Sequence, residues 1–500
     1  MTIDAGAQPS CRRLEGLALL ALIAIARIAD GSITHDGPEF QVNTYTYAFQ
    51  GSPAATGDGA GFVIVWHGRQ GTPVNRLGIL GQRYNVGGIT LGMEFVINTI
   101  PLEDRADELY PEVARLPTGG FVVVWEGYDG QDGSEEGIFG QRFASTGEKV
   151  GTEFQVNSYT SGKQKRPQVA AGPDEPFIVV WTDDSYRRTV IGQRYDSGGS
   201  PLGGEFQVAT YTTGMAYDPR IAIDNSGNLI IVWQSLLQDG SDDGVFARTF
   251  TKTGDPIGLE FQINSYTTGN QQHPDIAHDD DGRFLVVWDS FAQDGSGEGI
   301  FGRHYNADLA PISPEFQINA YTTGRQARPR VTAVGDDDFV VIWSSEGQDG
   351  DSAGVFARTV NLAEGTTGPE IQVNTYTTGP QGLPARLAVA AIGENRAVIA
   401  WEGSDPFEFG QDGSGSGIFA QRVCVESPLR ECGDATCAGD AAISASDALV
   451  ILRAAVGLST RCKPCVCDTD NSGAVTARDA LAVLHYATSK SVVLGCPPCS

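Results

Sequence analysis

Between Asp468 and Asp479 the chain spaces its oxygen-bearing side chains as a divalent cation would require. Asp468, Asp470, Ser472, Thr476 and Asp479 fall at positions 1, 3, 5, 9 and 12 of a loop with Gly473 at position 6. Calcium needs several oxygens around one point, and this is the EF-hand ligand order with Asp in place of Glu at the last position. Gly473 permits the sharp turn, and the carbonyl of Ala474 would supply position 7. A surface turn ahead of a helix is the competing account. A weaker second set, Asp440, Ser444 and Asp447, takes positions 5, 9 and 12 of a similar loop. There Thr436 and Ala438 occupy positions 1 and 3, and Ala441 replaces the glycine.

Each loop runs into a segment with helical periodicity, Ala445 to Arg453 and Ala477 to His485, whose leucines and valines at i, i+3 and i+4 give one apolar face. Eight of the nine cysteines, from Cys424 to Cys499, crowd around these units. An even number in a short segment reads as a disulfide framework. Cys462-x-x-Cys465 and Cys496-x-x-Cys499 also have the spacing of zinc ligands. The duplicated loop–helix unit with Asp at position 12 resembles the dockerin type I module, over about residues 432–490. That resemblance implies a small α-helical domain, bound calcium and a cohesin-like protein partner.

At the other end, Arg12 and Arg13 precede an apolar run from Leu17 to Ala26, with small residues at Ala24, Ala26 and Ala29. This pattern predicts a secretory signal over residues 1–29, with an uncleaved anchor as the alternative, and no membrane span after its removal. Export agrees with the disulfide reading. The net charge of −28 argues against a nucleic-acid partner, which would need basic patches.

The body of the chain is a repeat. Segments of the Glu-Phe-Gln-Val-Asn type begin at Glu39, Glu94, Glu153, Glu205, Glu260, Glu315 and Glu370, at intervals of 52 to 59 residues. All seven tryptophans, Trp66, Trp125, Trp181, Trp233, Trp288, Trp343 and Trp401, end an apolar run, one in each repeat. Four short apolar bursts per unit, at this period, predict an all-β fold: a seven-bladed β-propeller of four-stranded blades over residues 30–422. A β-helix needs shorter repeats and a string of sandwiches longer ones. There is no eighth Glu-Phe-Gln segment, so residues 39–43 are expected to pair with 417–423 and close the ring. A linker at 423–431 and a Cys-rich module at 432–500 complete the organisation. The repeat resembles those of bacterial extracellular proteins with Glu-Phe-Gln-Val-Asn, Val-Val-Trp and Gln-Asp-Gly-Ser-Gly elements, which implies a propeller in a secreted or surface protein.

No nucleophile elbow, zinc-binding His-Glu-x-x-His or phosphate loop is present. The recurring Gln-Asp-Gly turns and Gln-Arg strand ends read as structural. Loops that break the repeat lie at Pro101 to Tyr110, His67 to Gly78 and Ser404 to Gly410. Glu103, Asp104, Asp107 and Glu108 crowd the first and read as a solvated acidic loop. The near-equivalence of the blades predicts a secreted, non-catalytic binding or scaffold protein, not an enzyme, attached through its calcium module, with a polysaccharide or cell-surface ligand as a further candidate partner. The alternatives are a polysaccharide-degrading enzyme with a catalytic propeller and a calcium-dependent adhesin. Calorimetric titration with calcium is expected to show about one tight site that Asp468→Ala abolishes; absence of any heat would remove the loop assignment.

Overall fold

A computed structural model describes residues 31–425, apart from short connecting segments at 47–48, 70–76, 100–107, 129–130, 173–176, 186–187, 308, 336, 363–364, 383–386, 394, 405–410 and 412–414. The signal segment, the calcium-loop residues Asp468, Asp470, Ser472, Ala474, Thr476 and Asp479, and the second set Asp440, Ser444 and Asp447 lie outside the described residues. Within them all regular structure is β, arranged as seven antiparallel sheets.

Blade 5 shows the plan. Its inner strand Gln271–His278 pairs with Phe284–Phe291, which pairs with Glu298–Tyr305, which pairs with the outer strand Phe316–Gln317. The Glu-Phe-Gln segment is therefore the outer edge of each blade, and the strand ending in tryptophan is the second. The inner strands of successive blades touch one another all the way round, from Gln50–Asp58 to Ala388–Gly393 and back. They form the wall of the axial channel.

Packing follows from the two-faced apolar second strand. Val122 and Val124 enter the cluster shared with blade 3, whereas Phe121, Val123 and Trp125 enter the cluster shared with blade 1. Successive side chains of a strand point to opposite faces, so a run such as Phe121-Val-Val-Val-Trp125 needs cover on both sides. The seven tryptophans are at most 1% exposed, each wedged between blades. Truncating such a side chain typically costs about 3–5 kcal/mol.

The ring closes as the repeat count requires. Phe40 pairs with Ala420 and Gln41 with Phe419, completing blade 7 with a strand from the start of the chain. A further strand, Ile33–His35, pairs with Val423 to Val425 and extends this seal. The final strand accordingly runs Ser416–Val425.

The outer strands are also clasped in a circle. In every blade the Glu of Glu-Phe-Gln accepts the backbone N–H that follows the Asn of the preceding blade's outer strand, or Ala209 in the one blade that lacks it, at 2.6–2.8 Å. The Gln of Gln-Asp-Gly holds the same carboxylate within its blade, as Gln238 does Glu260. The Asp accepts from the outer-strand Asn, as Asp132 does from Asn157. The strand-end arginines reach neighbouring blades: Arg142 donates to the Ser197 carbonyl and Arg303 to the Ile263 carbonyl. These repeated polar residues thus have structural partners. At the closure Glu39 accepts from the Thr375 N–H, the Thr375 hydroxyl and Gln411. Hydrogen bonds to a charged group contribute about 1.5–3 kcal/mol. Glu39→Ala is therefore expected to lower stability by about that amount in chemical denaturation, and an unchanged midpoint would show that this clasp adds nothing.

Candidate functional site

The inner strands carry a feature that the tryptophan and Glu-Phe-Gln patterns do not. In six blades the strand begins with a residue–proline pair: Ser52-Pro53, Tyr110-Pro111, Arg166-Pro167, Asp218-Pro219, His273-Pro274 and Arg328-Pro329. The residue before each proline has a positive φ, between 49° and 58°. Side chains rarely adopt that conformation, and a following proline disfavours all but extended backbone. Each pair sits where the register with the second strand slips by a bulge, as between Gln272 and Asp275. Strained positions of this kind persist only where their surroundings hold them, and they gather at functional sites.

What holds them is a second set, the residue after six of the seven tryptophans. The N–H of Tyr110 is held by His67 Nδ1 at 3.4 Å, that of Arg166 by Glu126 at 3.1 Å and that of Asp218 by Thr182 at 3.1 Å. His273 donates its N–H to Gln234 at 3.0 Å, and Arg328 donates to Asp289 at 2.8 Å. Across the closure, Ser52 donates to Glu402. Every acceptor belongs to the blade before the donor, and all are buried. Two rings of side chains are thereby fixed around one end of the channel by a mechanism common to the blades, while their chemistry differs in each.

The pre-proline side chains couple across blade boundaries. Phe49 stacks on His67, and His67 meets Tyr110 edge-on. The Arg166 guanidinium lies over the Tyr110 ring at 5.6 Å and pairs with Asp218 at 3.2 Å. That carboxylate beside it pushes the Arg166 pKa upward, outweighing the opposing effect of burial. His273 Nδ1 lies 2.8 Å from the Asp289 carboxylate, which is only 2% exposed. With Nδ1–H donated to Asp289, Nε2 becomes the nitrogen available to take a proton. Glu402 is 5% exposed, and burial raises its carboxyl to about 7 against the opposing Ser52 N–H. Gly51 is required beside it, because a Cβ there would stand 2.7 Å from Glu402 Oε2 and 2.8 Å from the Phe49 ring.

Two residues further along the inner strands lies another polar tier. Gln168 donates to Glu112 at 2.8 Å. Asp275 pairs with Arg220 at 3.4 Å and accepts the Val331 N–H at 2.8 Å. Burial pushes the Asp275 carboxyl up, opposed by Arg330 and Arg220. These groups satisfy one another, as buried charges must. Among the described residues no group of three or more His, Cys, Asp or Glu is placed to hold a metal ion.

Of the residues singled out in the irregular loops, Glu103, Asp104 and Asp107 lie outside the described residues, and Glu108 is buried at the start of an inner strand rather than solvated. The axial residues were not anticipated, although the recurrent residue–proline pairs and the polar residue after each tryptophan were visible in the repeat.

No family model matches the chain, and no curated protein does. Solved structures are similar in fold. An α-L-arabinofuranosidase of Fusarium graminearum superposes with a TM-score of 0.45 and 14% identity, covering 63% of this chain and 93% of that one. An ulvan lyase of a polysaccharide lyase family gives 0.47 and 10%, covering 73% and 93%. A protein of unknown function from Dyadobacter fermentans gives 0.45 and 10%, covering 79% and 99%. At these identities the likeness is one of fold. Among the described residues no helix is long and apolar enough to cross a membrane.

The expectation of a non-catalytic binding or scaffold protein, and with it the expectation that the chain is not an enzyme, is corrected here. It rested on equivalent blades, and at the axis the blades are not equivalent. The neighbours named for an activity are carbohydrate-active enzymes, with an arabinanase and an endosialidase beside the two above.

Glu402 supplies a test of the site's electrostatics. Its folded pKa of about 7 lies above the ordinary value of 4.5, so the folded state binds the extra proton between those pH values. Its contribution is complete below about pH 4.5 and is lost as pH rises through 7, a swing of up to about 3 kcal/mol. Thermal denaturation of Glu402→Gln against wild type is expected to show the variant gaining relative stability from pH 4.5 to 7; parallel profiles would remove the buried-acid assignment.

Proposed function

We propose that the chain is a secreted, polysaccharide-degrading enzyme whose chemistry takes place at the axial end of the propeller. In this reading a dockerin-like module at 432–500 binds calcium through Asp468 to Asp479 and attaches the enzyme to a cohesin-like partner. The observation that carries the catalytic part is the heterogeneous double ring. Identical backbone devices present a His–Asp pair, a buried glutamic acid, a tyrosine and two arginines at one end of one channel. A purely structural ring would be served by the same residue seven times over, as the Glu clasps are.

The chemistry follows from protonation. His273, oriented by Asp289 through Nδ1, presents Nε2 as the nitrogen that can accept a proton. Glu402, kept protonated by burial up to about pH 7, can donate one. A group that can accept a proton and a group that can donate one serve breakage of a glycosidic bond by hydrolysis or by elimination. The channel wall is rigid sheet, which fixes such groups better than loops do.

Product release from a panel of neutral and acidic polysaccharides tests this, by assay of new reducing ends and of unsaturated ends. His273→Ala, Asp289→Asn and Glu402→Gln are each expected to lower turnover by about 100-fold or more while the fold is retained. No release from any member of the panel, or full activity in all three variants, would overturn the reading.

A further inference from the structure

We propose that the axial site is built for an anionic sugar, with Arg328 as the residue that holds its acidic group; this rests on the reading of the site as carbohydrate-active. Most charged groups around the ring already have partners. Arg166 is taken up by Asp218 and the Tyr110 face. Asp289 receives His273 and the backbone N–H of Arg328. Arg220 pairs with Asp275 in the tier two residues on.

Arg328 is different. Its side chain is half-buried, its Nε is buried with no hydrogen-bond partner, and its guanidinium makes no ion pair among the described residues. It nevertheless sits at a backbone position that the fold strains to create, with φ of 58° ahead of Pro329. The guanidinium lies within electrostatic reach of Asp289 on the neighbouring blade and of Asp218 and Arg166, two and three blades away. Burial, the largest effect on it, lowers its pKa. Leaving a buried donor unpaired carries a free-energy penalty that a bound acceptor removes. A guanidinium fork suits a carboxylate or a sulfate ester, which it can bind through two parallel hydrogen bonds. A neutral sugar would offer the guanidinium no charged partner of its own, leaving it only the longer-range fields of Asp289 and Asp218. The protein's overall charge of −28 repels polyanions at long range, so an anionic ligand has to be recognised by a local cation of this kind.

The test is calorimetric titration of the full chain, at 0.15 M salt, with four probes: oligogalacturonate, its methyl ester, dextran sulfate and dextran. Products in the same mixtures are analysed. The expected result is binding of an anionic probe at least 10-fold tighter than of its neutral counterpart. Preference for oligogalacturonate identifies a carboxylate, and preference for dextran sulfate a sulfate ester. Arg328→Gln is expected to weaken the anionic probe about 10- to 100-fold and abolish the preference. Arg325→Gln removes the same charge from a residue paired with Glu298 and is expected to keep the preference. Binding without preference, retention of preference in Arg328→Gln, equal loss in Arg325→Gln, or no binding of either anionic probe would overturn the inference. Anionic binding without product sustains it while counting against the catalytic reading. Turnover restricted to neutral chains does the reverse.

Discussion

Every blade of this protein has a central strand that is apolar on both faces, and such a strand has no side that water can cover. Phe121 to Trp125 buries alternate residues in two different clusters, one against each neighbouring blade. A linear array would leave one face bare at each end, so the arrangement is satisfied only by a ring. Closure by residues 40–41 on the last blade, sealed again by residues 33–35, follows from that requirement.

The ring has a consequence for chemistry. Because each second strand ends against the inner strand of the next blade, the residue after six of the seven tryptophans is brought beside a neighbour's backbone N–H. That N–H belongs to the strained pre-proline residue, so each of these blades positions part of the next blade's contribution to the axis. The scaffold is repetitive and the contents are not. Tyr110, Arg166, Asp218, His273 and Arg328 occupy one structural position, and His67, Glu126, Thr182, Gln234, Asp289 and Glu402 occupy the other. An asymmetric set of side chains is thereby presented by the regular strands of a symmetric fold.

Much of the fold was legible in the chain. The Glu-Phe-Gln segments marked outer strands, the tryptophans marked second strands, and the missing eighth segment foretold the closure. The Gln-Asp-Gly turns and strand-end arginines were rightly given structural roles, since Asp132, Gln238, Arg142 and Arg303 all hold neighbouring strands or blades. The site was less legible. The most distinctive local patterns in the chain are the calcium-like spacing at Asp468 to Asp479 and the loops that interrupt the repeat. The axial residues sit inside the regular part of the repeat, where variation from blade to blade looks like ordinary drift. Their common backbone role is invisible until the strands are curled into a circle.

The sequence by itself determined the number of blades, the strand order within each and the place where the ring joins, because those follow from periodicity, and periodicity is local. The calcium-like spacing at Asp468 to Asp479 is likewise local, a matter of a dozen consecutive residues, and lies outside the described residues. Only the tertiary structure decided which polar residues share a site. His273 meets Asp289 sixteen positions on through strand pairing, whereas Arg166 meets Tyr110 and Asp218 only through contact between blades. The physical reason is that a propeller's axis gathers one strand from every blade. Groups some fifty residues apart along the chain become neighbours there, and no spacing rule within a single repeat expresses that convergence.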